Sequence, residues 1–374
     1  MPSATPRSRR RLGASMALAA ASALVGLAVL EAAFRARAVL ASPAGMVSAQ
    51  PARVARGGRA RLGDVVRPSA NPRIVYELIP GLDVELLGAR LRTSPDGFRG
   101  EAVPPSRTRP AVRVVGLGDS VMFGWGVREE DAYLARMAAL LEASSEGVAW
   151  EVVNTAVPGY NTVMEVETLE AKGLRFDPDL VVLNFVGNDL GLPNFIEERP
   201  DVLSLRRSFL LDFVRGRLRG EPEAGPRLVG VPAEVRRFGE AHLDRVPARY
   251  RGLLGLEAWR SAMERLGALS RAHGFEVVVL SHPEIPGFAR DTARALGFPV
   301  VETGGAVRTW AREHGVEGIQ EPPLTLTAAD PHPSAVGHGI IARALADSLR
   351  PGGLAERLAA RHRRAGAATP ARAP

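Results

Sequence analysis

The stretch Val114-Val115-Gly116-Leu117-Gly118-Asp119-Ser120-Val121-Met122-Phe123-Gly124-Trp125-Gly126 changes character partway. It opens apolar and β-prone, then breaks at Gly118-Asp119-Ser120 with two more glycines close behind. Such an ending is either an ordinary turn into a helix or a nucleophile set at the mouth of a sheet. Ser120 heads the segment that follows, so its hydroxyl is expected to be exposed and its N–H to point into a site. Glycines at 118, 124 and 126 let the backbone turn tightly. Taken alone, the serine is equally an N-cap.

Working outward, the pattern from residue 112 is βαβ. Strand-like runs cover 112–118, 150–157, 179–187, 275–282 and 298–303. Their continuous apolar character suits strands buried on both faces, as in parallel sheets. Helical stretches alternate with them. Tyr133, Leu134, Met137, Leu140 and Leu141 recur at helical spacing within 129–143, while 161–172 and 256–273 run up to Gly173 and Gly274, read as C-caps. A last helix is expected from Ser334, its N-cap, to Leu349. The alternation predicts an α/β fold: a three-layer, doubly wound sheet of about five parallel strands, with functional groups at the carboxyl ends of the strands.

The flanks are simpler. Residues 1–34 read as a signal-anchor segment, 35–70 as a linker, 71–110 as a small β-rich lead-in, 111–350 as the main domain with an insertion at about 190–255, and 351–374 as a disordered tail. Arginines at 7 and 9–11 precede an uncharged apolar run, Leu12–Leu30, long enough as a helix to cross a hydrocarbon core of about 30 Å. The charge asymmetry predicts an inside N-terminus, with the remainder periplasmic or extracellular. The alternative is secretion after signal cleavage, with Val39-Leu40-Ala41 as the cleavage site.

The net charge of +7 does not indicate a nucleic-acid partner, because much of the excess arginine lies at the two ends and no basic, aromatic stripe accompanies it. The chain has no cysteine, which excludes disulfides, thiolate catalysis and cysteine-ligated metals. Its seven histidines show no paired metal-ligand spacing, and neither a metal nor another cofactor is expected.

Four local features fall at the ends of predicted elements. Ser120 follows strand one. Asn154 and Gly159, in "NTAVPGYNT", follow strand two, where a glycine lets a backbone N–H approach a substrate oxygen. Asn188, in Gly187-Asn188-Asp189, follows strand three and offers a side-chain amide to a developing oxyanion. Asp330-Pro331-His332 precedes the final helix. A serine hydroxyl needs a neutral imidazole to take its proton and an anion to fix that imidazole's tautomer. Pro331 biases Asp330 toward extended backbone, and residues two apart then project on one side. His338 is read as structural. Each feature alone has an ordinary explanation as a turn or cap; four in this order are far more specific.

In these residues the chain resembles the SGNH (GDSL-type) hydrolase superfamily, over about 112–350. The resemblance implies a flavodoxin-like fold and assigns Ser120 as nucleophile and first oxyanion donor. Gly159 becomes the second donor through its N–H, Asn188 the third through its side chain, His332 the general base and Asp330 its partner. The family's usual final block has two residues between Asp and His; here there is one, a shorter form resembling that of SGNH-like polysaccharide acetylation proteins. "SPDGFRG" at 94–100 and the N-terminal helix resemble a membrane-tethered bacterial subgroup.

The expectation is therefore a serine esterase inserted in the membrane by its N-terminal helix and acting on an acyl ester of a glycan or lipid. The alternative is an O-acyltransferase that modifies an extracellular polysaccharide with the same triad. A non-catalytic tethered domain is disfavoured by the full set of reactive residue types.

Overall fold

Apolar runs without alternation must be covered on both faces, and in the computed structural model those at 111–117, 180–185 and 277–281 are, while the run at 300–302 lies at the sheet edge and is only partly covered. The structure describes residues 6–40, 54–198, 208–218, 227–231, 236, 246–350 and 353–367. Of the insertion expected over 190–255, residues 199–207, 219–226, 232–235 and 237–245 lie outside the described residues. So do linker residues 41–53, with Ala41 of the expected cleavage site, and tail residues 351–352 and 368–374.

The chain forms two units, residues 1–50 with 197–227 and residues 51–196 with 228–374. The smaller contains helix α1 (Pro6–Leu40). The larger opens with β1 (Arg59–Ala60), α2 (Leu62–Val65), β2 (Val66–Pro68), β3 (Tyr76–Leu78), β4 (Asp83–Leu86) and β5 (Ala89–Arg92). β1, β4 and β5 form a small sheet, and β2 pairs with β3. β4 turns into β5 through Leu87 and Gly88, at φ 52° and 78°, the paired left-handed residues that suit a two-residue hairpin. The β-rich lead-in thus begins near residue 59, inside the stretch expected to be linker, and α1 runs past the expected boundary at 34.

The main domain continues with β6 (Ala111–Leu117), α3 (Ser120–Phe123), α4 (Tyr133–Glu142), β7 (Ala149–Asn154), α5 (Thr162–Thr168) and β8 (Leu180–Phe185). β9 (Phe195–Glu198) leads into α6 (Phe209–Leu218) and β10 (Arg227–Gly230) leads back. Then come α7 (Gly255–His273), β11 (Glu276–Ser281), α8 (Gly287–Ala295), β12 (Val300–Glu302), α9 (Gly304–Glu313), β13 (Thr325–Thr327), β14 (Asp330–Pro333), α10 (Ala335–Leu349) and α11 (Leu354–Ala367).

β12, β11, β8, β6 and β7 lie side by side in that order, all parallel. Numbered within the sheet this is 2-1-3-4-5, the flavodoxin-like order. Val112, Val114, Val115 and Leu117 of β6 and Leu180, Val181, Val182 and Leu183 of β8 are fully buried. Flanking helices fall into two groups, α4 with α10 and α9, and α5 with α7 and α8. Strand order therefore reverses between β6 and β8, which leaves a crevice beyond their carboxyl ends.

One of the two predicted glycine caps holds and the other does not. Gly274, at φ 75°, ends α7 as predicted. Gly173 is helical: α5 widens into a π turn over Leu169–Gly173, tightens into a 3-10 turn over Leu174–Phe176 and stops at Asp177, φ 50°. The tail also departs from expectation, since α11 is a helix. Its alanine-rich composition hides a stripe, Ala355, Leu358 and Ala359, that is buried.

The amino ends of the strands are held by charge. Arg113 of β6, fully buried, donates to Glu151 (3.0 Å) and to the carbonyls of Phe176, Pro104 and Pro105. Asp179 accepts from the Arg113 backbone N–H, from Arg107 and from His362 of α11, each at 2.8 Å. Burial pushes the Asp179 carboxyl up, but these donors outweigh it and hold it below the ordinary 3.8. Asp179→Ala is expected to cost about 3 kcal/mol, as when one partner of a buried ion pair is removed. Because the folded pKa is lowered, this contribution is complete above pH 3.8 and fades as pH falls through the lower folded value. Urea denaturation at neutral and acid pH should show the parent's advantage over the variant shrinking only at the acid end.

Candidate active site

Each loop at the carboxyl edge is set by what packs beneath it. Gly116 and Gly118 end β6 because a side chain would not fit. A Cβ at 116 would lie 2.3 Å from Leu134, and one at 118 would lie 2.6 Å from Met122. Asp119 then caps the four-residue α3, its Oδ1 accepting from the Val121 N–H at 3.0 Å. Ser120 is the first residue of that turn. Gly124, at φ 84°, closes it, and the N–H groups of Gly124 and Trp125 return to the Ser120 carbonyl.

The structure brings the histidine of the final block to this serine. β14 pairs antiparallel with β13, and its extended backbone projects Asp330 and His332 on one side. His332 Nε2 lies 2.8 Å from Ser120 Oγ, and its Nδ1 lies 2.5 Å from Asp330 Oδ1. A carboxylate can only accept, so Nδ1 carries the proton of the neutral ring and Nε2 presents a lone pair to the serine. Burial pushes the Asp330 carboxyl up. Hydrogen bonds from the His332 ring, the His332 backbone N–H and Trp125 outweigh it, so the carboxyl sits below its ordinary range. The anion facing the imidazole is therefore in place throughout the neutral range.

Gly159, at φ 81°, sits in the loop after β7, and a Cβ there would fall 2.2 Å from Asn194 Cγ. Its loop is braced by Tyr76 of β3, whose hydroxyl donates to the Pro158 carbonyl at 2.8 Å. Asn188 sits after β8, its amide 3.2 Å from Asp119 Oδ2 and 3.4 Å from the Tyr160 carbonyl. Asn154 supports the serine turn from below, donating to the Met122 carbonyl at 3.1 Å and accepting from the Ala156 N–H. His338, fully buried, accepts the Tyr133 N–H at 3.2 Å and stacks on that ring. Burial pushes it down to about 3, so it stays neutral, a structural cap for α4.

Ser120, Gly159, Asn188 and His332 line one cavity of about 770 Å³. Its walls include Trp125, Leu190, Leu192 and Ile319, with Asn194, Arg236, His282 and Gln320 as further polar groups.

Several of these groups carry no signal in the sequence. Trp125 Nε1 donates to the second oxygen of Asp330 at 3.3 Å, and its ring faces His332 at 5.7 Å. Arg99, from "SPDGFRG", is buried and donates to the carbonyls of Phe123, Gly124 and Val127, clamping the turn behind the serine. Burial lowers its guanidinium to about 10, still charged at neutral pH. Asn194 and Arg236 come from the insertion and bond to each other. Only the motif's glycines and "SPDGFRG" hinted at any of this; the distances between partners span from 24 to 205 residues.

A model of the GDSL-like Lipase/Acylhydrolase family matches residues 117–340, more than half of the chain. Among curated proteins none matches. Solved structures similar in part include a catalytic mutant of Axe2, an acetylxylan esterase from Geobacillus stearothermophilus. It is 16% identical over 66% of this chain and 95% of that one, with a TM-score of 0.39. A lipase/acylhydrolase from Enterococcus faecalis is 16% identical over 64% and 96%, with a TM-score of 0.36. The esterase EstA from Pseudoalteromonas is 11% identical over 64% and 97%, with a TM-score of 0.37. On the strength of the family match, with the parallel sheet and the serine at its carboxyl edge, the chain belongs to the GDSL-like lipase/acylhydrolase family and is an ester-hydrolysing enzyme.

Proposed function

We propose that the enzyme is a serine esterase that works through Ser120, His332 and Asp330, with an acyl ester of a carbohydrate or lipid outside the cytoplasm as substrate. The observation that carries this reading is the hydrogen-bond chain from Ser120 through His332 to Asp330, at 2.8 and 2.5 Å.

In this reading Ser120 Oγ attacks the ester carbonyl carbon as its proton passes to His332 Nε2. The carbonyl π electrons move onto oxygen. The Ser120 and Gly159 N–H groups and the Asn188 amide stabilise that oxyanion, each donor worth on the order of a hundredfold or more in rate. The tetrahedral species collapses, the C–O bond to the alcohol breaks, and the imidazolium protonates the leaving oxygen. Water, deprotonated by His332, then releases the acid and restores Ser120. Asp330 keeps its charge throughout and steadies the imidazolium.

The location rests on α1. Ser15–Ala36 is predominantly apolar, exposed from Ser15 to Leu30 and 22 residues long, about 33 Å as a helix, which suits a retained anchor. The arginines before it favour an inside N-terminus. Recovery of the chain at its full mass from carbonate-washed membranes is the expected result; a shortened chain in the soluble fraction would mean cleavage.

Ser120→Ala should lower kcat toward a short-chain aryl ester by roughly 10⁴-fold or more while leaving the fold intact. Equal rates for variant and parent would remove Ser120 as nucleophile. Asp330→Asn tests the third member separately: it should keep the geometry yet lose on the order of 10³- to 10⁴-fold in kcat at neutral pH, because the amide favours the wrong tautomer. A panel of acylated sugars and lipids, with added acceptor alcohols, then reads the substrate and whether the acyl group goes to water.

A further inference from the structure

Within the apolar stretch of α1 stands one acid, Glu31, five residues short of its end at Ala36, or about 8 Å along the helix. An ionised group at that depth calls for a partner. Its partner is the amino end of α6. Glu31 Oε1 accepts the Phe209 N–H at 3.0 Å. Its Oε2 accepts the Leu210 N–H at 2.9 Å and the Ser208 hydroxyl at 2.8 Å. Arg35 adds a fourth donor at 2.8 Å. The pairing continues along both helices: Phe213 meets Phe34 with ring centroids 4.7 Å apart, and Arg35 lies over the Phe209 ring.

Phe209 and Phe213, one turn apart, thus use one face of α6 against α1. A second apolar face is left over. Leu211, Val214 and Leu218 are 45%, 41% and 82% exposed, and their i, i+3, i+7 spacing puts them in one stripe. Arg215 and Arg217 stand beside it. A ten-residue helix that is apolar on two sides and fastened to the last turns of an apolar span has one medium to match its second side. That medium is the boundary between acyl chains and headgroups, with the arginines toward anionic phosphates.

We propose that α6 is an interfacial helix, with Leu211, Val214 and Leu218 immersed in the leaflet at the carboxyl end of α1 and Glu31 pinning it there. This rests on the reading of α1 as a retained anchor. It makes the insertion after β8 a second membrane attachment.

The chain has no cysteine, so single cysteines can be placed at Leu211, Val214 and Leu218 and, for contrast, at Asp212 and Arg215. The full chain, labelled with an environment-sensitive fluorophore, is reconstituted in vesicles of phosphatidylcholine and phosphatidylglycerol. Labels at 211, 214 and 218 should be blue-shifted, quenched severalfold more by lipid-borne nitroxide than those at 212 and 215, and sheltered from aqueous iodide. Glu31→Ala should erase the contrast, while aryl-ester hydrolysis and carbonate-resistant membrane association persist. Equal iodide quenching at all five sites in a vesicle-bound chain would overturn the interfacial helix and leave the anchor standing. Disulfide-linked dimers through residue 214, without lipid quenching, would instead assign the stripe to a second copy. A chain that carbonate strips from the vesicles would end both readings.

Discussion

Everything at the candidate site depends on the reversal of strand order between β6 and β8. The two strands are hydrogen-bonded neighbours, yet the helices that follow them, α4 and α7, belong to different packing groups. The loop after β6 carries Ser120 and the loop after β8 carries Asn188. The two touch through the 3.2 Å bond between the Asn188 amide and Asp119. Glycine at 116 and 118 is the local cost of that placement. The helix returning from the edge packs so close that any Cβ would collide with Leu134 or Met122.

Beneath this edge the electrostatics are unusual. Asp119, Glu165 and Asp189 are all buried. Burial, and then the negative charges of Asp189 and Asp119, push the Glu165 carboxyl well above its ordinary range; burial and Asp119 do the same to Asp189. Asp119 is also raised by burial, but it is opposed by bonds from the Val121 N–H, Asn188 and Ser120. Ser120 has a single proton to give and two acceptors in reach, Asp119 Oδ2 at 3.1 Å and His332 Nε2 at 2.8 Å. Asp119 lies at the margin of hydrogen-bond range and already accepts from Val121 and Asn188. The imidazole is the nearer acceptor.

How far this could be read from sequence depended on the range of the interactions. The central strands β6, β8 and β11 are legible because burial on both faces leaves runs rich in Val and Leu, a purely local mark. The one-sided projection of Asp330 and His332 is legible because Pro331 constrains its neighbour. What is not local is not legible. Trp125 lies 205 residues from Asp330, and its glycine neighbours draw the eye to the turn instead. Gly173 looks like a stop signal, yet its φ of −77° is helical and the chain continues through it. Residues 354–367 look like a low-complexity tail. Their order comes from Leu358, Ala359 and His362, which meet the main domain at the amino ends of its strands.

The lead-in over 59–100 then acquires a reason beyond its own small sheets. Two of its residues reach the back of two site loops. Tyr76 holds the Pro158 carbonyl next to Gly159, and Arg99 gathers the carbonyls of Phe123, Gly124 and Val127 behind Ser120. Both act on backbone, so neither depends on the side chains that bind a substrate, and both are buried where water cannot compete. The insertion does the opposite work. Asn194 and Arg236 reach into the cavity from the front, beside Gly159, and present an amide and a cation to whatever enters. A loop-borne front wall can vary while the clamped back wall keeps the Ser120 turn and the Gly159 loop in place.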